Sequence, residues 1–158
     1  WSKIKTNNLM KLNSNIIKNR KTICFFDKKI IKTLKNKAKK AKNKRSRILI
    51  HTSLKAQVQE MIIALHKSSD VPAHQHPHNK SESYFIIEGT MKLKLYDKKG
   101  RVKKIINMGT IKSGKPFYYR MSKGNLWHKP IATSEFCIYH ETFAGPFKKS
   151  KDVRLKKK

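Results

Sequence analysis

The sequence predicts an all-β sandwich or barrel behind a helical preface, and three observations carry that prediction. From Val71 to Phe143 short apolar runs recur every 8–12 residues or so, separated by turn residues, which is the rhythm of antiparallel strands in sandwiches and barrels. Ahead of them, residues 27–41 carry apolar side chains at spacings of three and four, the period of an amphipathic helix. Where the strands begin, His74, His76 and His78 occupy alternate positions, with Glu82 following before an apolar run that ends at Gly89. Side chains two apart on a strand share a face, so two imidazoles on one strand and a carboxylate from the next make a partial shell for a divalent transition metal.

The elements follow in order. Residues 1–26 are polar and rich in asparagine and lysine, and read as weakly structured. Asp27 is placed to cap a helix, its carboxylate accepting from the open amides of the first turn. Ile30, Ile31, Leu34, Ala38 and Ala41 then share one face of about four turns, ending before Arg45. Residues 48–51 form a short β-like run. Ser53 is placed to cap a second helix, in which Leu54, Val58, Met61, Ile62 and Leu65 share a face. Strands are expected over residues 83–88, 91–96, 101–108, 117–121, 126–131 and 135–143. In the second of these Met91, Leu93 and Leu95 alternate with Lys92 and Lys94. Asp97-Lys98-Lys99-Gly100 is a hairpin turn in which glycine supplies the positive φ. The organisation expected is a basic, partly helical extension over residues 1–47, a barrel domain over 48–147 and a basic tail over 148–158.

The 158 residues carry a formal net charge of +30, which ordinarily points to nucleic acid. Its distribution argues otherwise. Residues 1–47 hold 17 basic side chains against one acidic, residues 148–158 hold seven against one, and the central 100 residues only 15 against seven. The excess is lysine, 33 against 6 arginines, in a chain rich in Ile and Asn, as an AT-rich genome produces whatever the function. Arginine is the residue expected for bidentate recognition of phosphate or guanine. No apolar stretch approaches the roughly 20 residues that span a bilayer. With no signal-peptide pattern at its start, the chain reads as a soluble cytoplasmic protein. Cys24 and Cys137 lie far apart without a C-x-x-C, so reduced thiols are expected.

The candidate ligands within the barrel are His74, His76, His78, Glu82, His128 and His140. The spacing H-x-H, then Glu82, then Gly89 resembles the first motif of the cupin superfamily, and Gly124-Asn125-Leu126-Trp127-His128 resembles the second. Two registers are open: His76 and His78 leave three residues before Glu82, His74 and His76 leave five. A closer resemblance, to the WbuC-type cupin fold metalloproteins, favours His74 and His76. It is carried by Arg45, Arg47, His51, Met61, His74-x-His76-Pro77, Ser81-Glu82, Gly89, Trp127-His128, His140-Glu141 and Gly145-Pro146-Phe147, and covers about residues 45 to 147. Ser122-Lys123-Gly124 stands where that family has P-x-G, and His78 is an additional histidine.

This resemblance implies a cupin double-stranded β-helix, a jelly-roll-like barrel preceded by the α-helical segment, holding one divalent transition metal (Zn, Fe, Mn or Ni) on His74, His76, Glu82 and His128. His51 and His140 are the candidate proton-transferring or substrate-contacting residues, and Glu141 with the Gly-Pro-Phe turn closes the last strand. Trp127 and Phe117 are read as barrel packing, and His66 as a surface residue. The resemblance further implies a role on a sugar or sugar nucleotide in O-antigen or surface-polysaccharide (lipopolysaccharide) biosynthesis, with isomerase- or epimerase-like proton transfer one form the reaction takes. Arg45, Arg47 and the lysines favour a small anionic, sugar-like ligand; a homodimer is admitted and nucleic acid disfavoured. Two other classes stay open: a non-catalytic cupin that binds metal and a small ligand without turnover, and a polyanion- or nucleic-acid-binding protein using the basic N-terminal helix.

Overall fold

The computed structural model describes residues 9–11, 15–19, 23–147 and 153–154. Its elements are β1 (Leu9–Lys11), β2 (Ile16–Asn19), α1 (Lys28–Lys40), β3 (Arg45–Leu49), β4 (Val58–His66), β5 (His74–Gln75), β6 (Glu82–Glu88), β7 (Thr90–Tyr96), β8 (Val102–Gly109), β9 (Tyr118–Met121), β10 (Trp127–Ala132), β11 (Phe136–Ala144) and β12 (Val153–Arg154). They form two sheets. The larger runs β1-β2-β3-β4-β11-β6-β9 and the smaller β12-β5-β10-β7-β8. All pairings are antiparallel except β2 with β3.

Two apolar clusters hold these layers. Leu65, Tyr84, Ile86, Met91, Leu93, Met108 and Cys137 meet inside the barrel, contributed alternately by strands of both sheets. Outside it, Leu34 and Ala38 of α1 pack on Ile48, Ile62, Ala64 and Ile138, the outward side chains of β3, β4 and β11. The helix begins at Asp27, whose carboxylate accepts from the Ile30 amide at 2.8 Å, and Ser46 Oγ–H donates to the Leu34 carbonyl at 2.7 Å from β3. Gly100 takes a φ of 79° in the turn between β7 and β8, as the hairpin requires. Cys24 and Cys137 are both free thiols.

Three expectations are corrected. Residues 58–66 are strand β4, not a second helix: the inner face meets the barrel core and the outer face meets α1, so five successive residues, Met61–Leu65, are buried and no alternation survives to mark a strand. Ser53 caps a tight turn instead, its hydroxyl accepting from the Lys55 amide. Residues 16–19, read as weakly structured, form β2, which pairs with β3. Phe117 is not barrel packing; it is exposed and meets Phe85 edge-on on the outer surface, ring centroids 5.8 Å apart. The segment before residue 48 is thereby built into the larger sheet, while most of the tail over 148–158 lies outside the described residues. Among the described residues no helix is long and apolar enough to cross a membrane.

Candidate metal centre

Four side chains converge where the two sheets meet. His74 on β5 and His128 on β10 are directly opposed Cα partners. His76 follows His74 by two residues, and its position is set by Gly124, which sits between β9 and β10: the His76 amide donates to the Gly124 carbonyl at 2.8 Å, and the Gly124 amide to the His78 carbonyl at 3.1 Å. Glu82 opens β6 with its side chain turned inward. The ligand atoms of His74, His76 and His128 lie within 4.8 Å of one another, and Glu82 reaches two of these rings, Oε1 at 3.1 Å from His76 Nε2 and Oε2 at 3.1 Å from His128 Nε2.

The donors are prepared on their far side. His74 Nδ1 lies 3.0 Å from the Pro72 carbonyl and His128 Nδ1 2.9 Å from the Leu126 carbonyl, so each ring donates Nδ1–H to backbone and turns the Nε2 lone pair inward. His128 Nε2 and Glu82 Oε2 are buried and, although close, have no hydrogen bond of adequate geometry. The Glu82 oxygens stand 3.1 Å from two imidazole nitrogens, the separation that metal bonds of about 2.1 Å impose on neighbouring ligands, and the three ring nitrogens lie within 4.8 Å of one another. The residues therefore fit a divalent ion.

Electrostatics agree. Burial alone would raise the Glu82 carboxyl, but the His128 and His76 imidazoles outweigh it and hold the group below the usual carboxylate range. Burial, reinforced by neighbouring His128, lowers His74 to about 4, which keeps this imidazole neutral and able to donate at neutral pH. Burial raises the phenols of Tyr84 and Tyr139 well above the ordinary tyrosine value, with neighbouring carboxylates adding to it.

A cavity of about 670 Å³ opens onto the cluster, touching His74, His76 and Glu82, with Arg45, Arg47, His51 and Glu141 on its other walls. His51 is buried at the end of β3, its Nδ1 within 3.1 Å of the Glu60 backbone, and burial holds the imidazole below the ordinary histidine value. His140 is not among the lining residues: it stands on the opposite face of β11, 3.4 Å from Glu60 Oε1. His78 is exposed in the loop after β5 and outside the cluster, and Trp127 points away from it, on the other face of β10 from His128. Glu141, expected to close the last strand, faces the cavity instead. The signal was available, since Glu141 shares its parity on β11 with Cys137, Tyr139 and Phe143. Burial and the nearby Glu82 raise its carboxyl to about 7.

A family model described as a domain of unknown function (DUF6016) matches residues 26–108, just over half of the chain. No curated protein matches the sequence. Among solved structures, an uncharacterized conserved protein with a double-stranded β-helix domain from Klebsiella pneumoniae is similar at a TM-score of 0.53 and 11% identity, over 72% of this chain and 80% of that one. A protein from Shewanella oneidensis is similar at 0.51 and 10%, over 67% and 66% respectively. An oxalate decarboxylase from Bacillus subtilis matches at 0.45 and 22%, over 63% of this chain but only 24% of its own length. The likeness is one of fold, a double-stranded β-helix; in this chain a helix precedes the barrel, and the barrel carries a histidine cluster that can hold a metal ion.

Proposed function

We propose that this chain, which belongs to the DUF6016 family, binds one divalent transition metal in its cupin barrel through His74, His76, Glu82 and His128, and acts there on a small anionic, sugar-like molecule. The observation that carries this reading is the convergence of three imidazoles and one buried carboxylate, with two Nδ1–H groups already committed to backbone carbonyls. Three neutral imidazoles and a carboxylate leave a bound ion with net charge of about +1 and room for an oxygen ligand from the cavity side. Such an ion supplies Lewis acidity toward a carbonyl or hydroxyl oxygen.

The chain's own residues supply the rest. Arg45 and Arg47 give the cavity a cationic wall suited to an acidic substituent, and Tyr84 and Tyr139, held protonated, are hydrogen-bond donors at neutral pH. His51 is the cavity-lining member of the two histidines expected to move protons or contact substrate, so the substrate contact falls to it; His140 contacts Glu60 on the outer face and is assigned no substrate contact. The order of motifs from Arg45 to Phe147 supports kinship with the WbuC-type cupins, and through it a place in surface-polysaccharide metabolism with isomerase- or epimerase-like proton transfer. That substrate class rests on fold-level analogy.

Elemental analysis of protein purified without added metal tests the centre. About one equivalent of a transition metal is expected, and less than about a tenth, unchanged by reconstitution, refutes it. A His128→Ala or His76→Ala chain that keeps full loading refutes the ligand assignment.

A further inference from the structure

The cavity has a second polar wall, on β3 and the residues just after it. Ser46 and Ile48 face α1, so Arg45, Arg47 and Leu49 face the cavity, and His51 continues the same parity beyond the strand end. Arg47 is half-buried there. Among the described residues it makes no ion pair, and its side-chain contact is a long one, Nη1 to Met61 Sδ at 3.9 Å. Glu141 feels its charge through space, but no ion pair joins them. His51 is similar: the Glu60 backbone engages Nδ1, and Nε2 is buried without a hydrogen-bond partner. A guanidinium taken partly out of water without a carboxylate is costly, as is an unpartnered ring nitrogen. Both costs are offset when a ligand brings an oxyanion, whose geometry the planar guanidinium fork matches.

We infer that Arg47 and His51 form an oxyanion-binding subsite, which takes the carboxylate or phosphate group of a ligand whose other end reaches the histidine cluster. The second half rests on the metal-centre reading; the first does not. Arg47, Ile63, Tyr139 and Ile86 are successive cross-strand neighbours, so β3 lies three strand spacings from β6, the strand that carries Glu82. At about 4.8 Å per spacing the backbones of β3 and β6 lie about 14 Å apart along the sheet, and the Arg47 side chain covers part of this, its Nη1 reaching Met61 on β4. Arg47 and Glu82 line different walls of one cavity of about 670 Å³. The ligand is therefore an organic acid or phosphate ester, of the size that cavities of several hundred Å³ enclose.

The test is calorimetric titration of the full chain, with and without bound metal, by inorganic phosphate and separately by acetate, at fixed chloride of about 0.2 M to screen the surface lysines. At least one of the two is expected to saturate at one equivalent, and which one does so identifies the group. Arg47→Ala is expected to weaken that binding at least tenfold without changing metal content, while Lys104→Ala, an exposed lysine on β8, leaves it unchanged. Arg47→Lys keeps the charge, removes the fork and is expected to fall between; it carries the test if the alanine variant melts early. Saturation by neither anion overturns the subsite, and so does equal weakening by Arg47→Ala and Lys104→Ala, which is adsorption to surface lysines. Arg47-dependent saturation in a chain that binds no metal sustains the subsite and refutes the metal centre alone.

Discussion

Gly124 holds the metal-centre loop through space that only a hydrogen can occupy, and Gly124→Ala puts a number on this. A Cβ built there meets the Pro77 carbonyl oxygen at 2.2 Å, the Lys80 carbonyl oxygen at 2.7 Å and His76 Cβ at 2.9 Å. Contacts below 3.0 Å are essentially never adopted, so the Pro77 carbonyl must retreat by about 0.8 Å. Two of the three obstacles are backbone and cannot rotate away. The His76 amide bond to the Gly124 carbonyl ties that movement to a candidate ligand. Overpacking of this kind costs about 1–3 kcal/mol, which for a domain of this size lowers the melting temperature by about 3–10 °C. Displacing the support of a ligand weakens metal affinity about 10–100-fold. Thermal melts of the metal-free chain and metal competition titrations read the two effects separately. A variant with native melting temperature and native affinity refutes the claim that this close approach positions His76.

Glu141→Gln tests the buried carboxyl. Its folded value of about 7 exceeds the ordinary 4.5, so the folded chain holds this proton more tightly than the unfolded one; the contribution is favourable below pH 4.5 and is lost as pH rises to 7. The glutamine variant is therefore expected to be more stable than the native chain at pH 8 by about 1–3 kcal/mol and equal to it at pH 4, measured by guanidinium denaturation; the same difference at both pH values contradicts this. Leu34→Ala removes a fully buried side chain between α1 and the sheet. A loss of about 2–5 kcal/mol with unchanged metal content is expected, because the helix packs outside the barrel. Asp27→Ala removes the N-cap bond to the Ile30 amide and is expected to cost about 1 kcal/mol in the same denaturation assay.

The sequence exposes structure most clearly where one face of an element is buried and the other is wet. β7 alternates Met91, Leu93 and Leu95 with lysines, and α1 carries its apolar stripe between lysines, so both were legible within a residue or three. β4 was not, because α1 covers its outer face and erases the period of two. β2 has too few residues to show a period, and its pairing with β3 is a long-range choice. In the site, alternation identified residues 74, 76 and 78 but not which two turn inward; the pairing of His74 with His128 and the anchoring of His76 by Gly124 do so in the fold. His140 and Glu141 pose the same problem of parity. The neighbours Tyr139 and Phe143 put Glu141 in the cavity and His140 outside it.

The proposed centre holds one metal ion among three imidazoles and a carboxylate. X-ray absorption of the zinc-reconstituted full chain tests it most directly. One ion per chain is expected, its first shell at about 2.0–2.1 Å containing three imidazole nitrogens and oxygen but no sulfur. A shell with a sulfur scatterer at about 2.3 Å, or with fewer than two imidazoles, contradicts it.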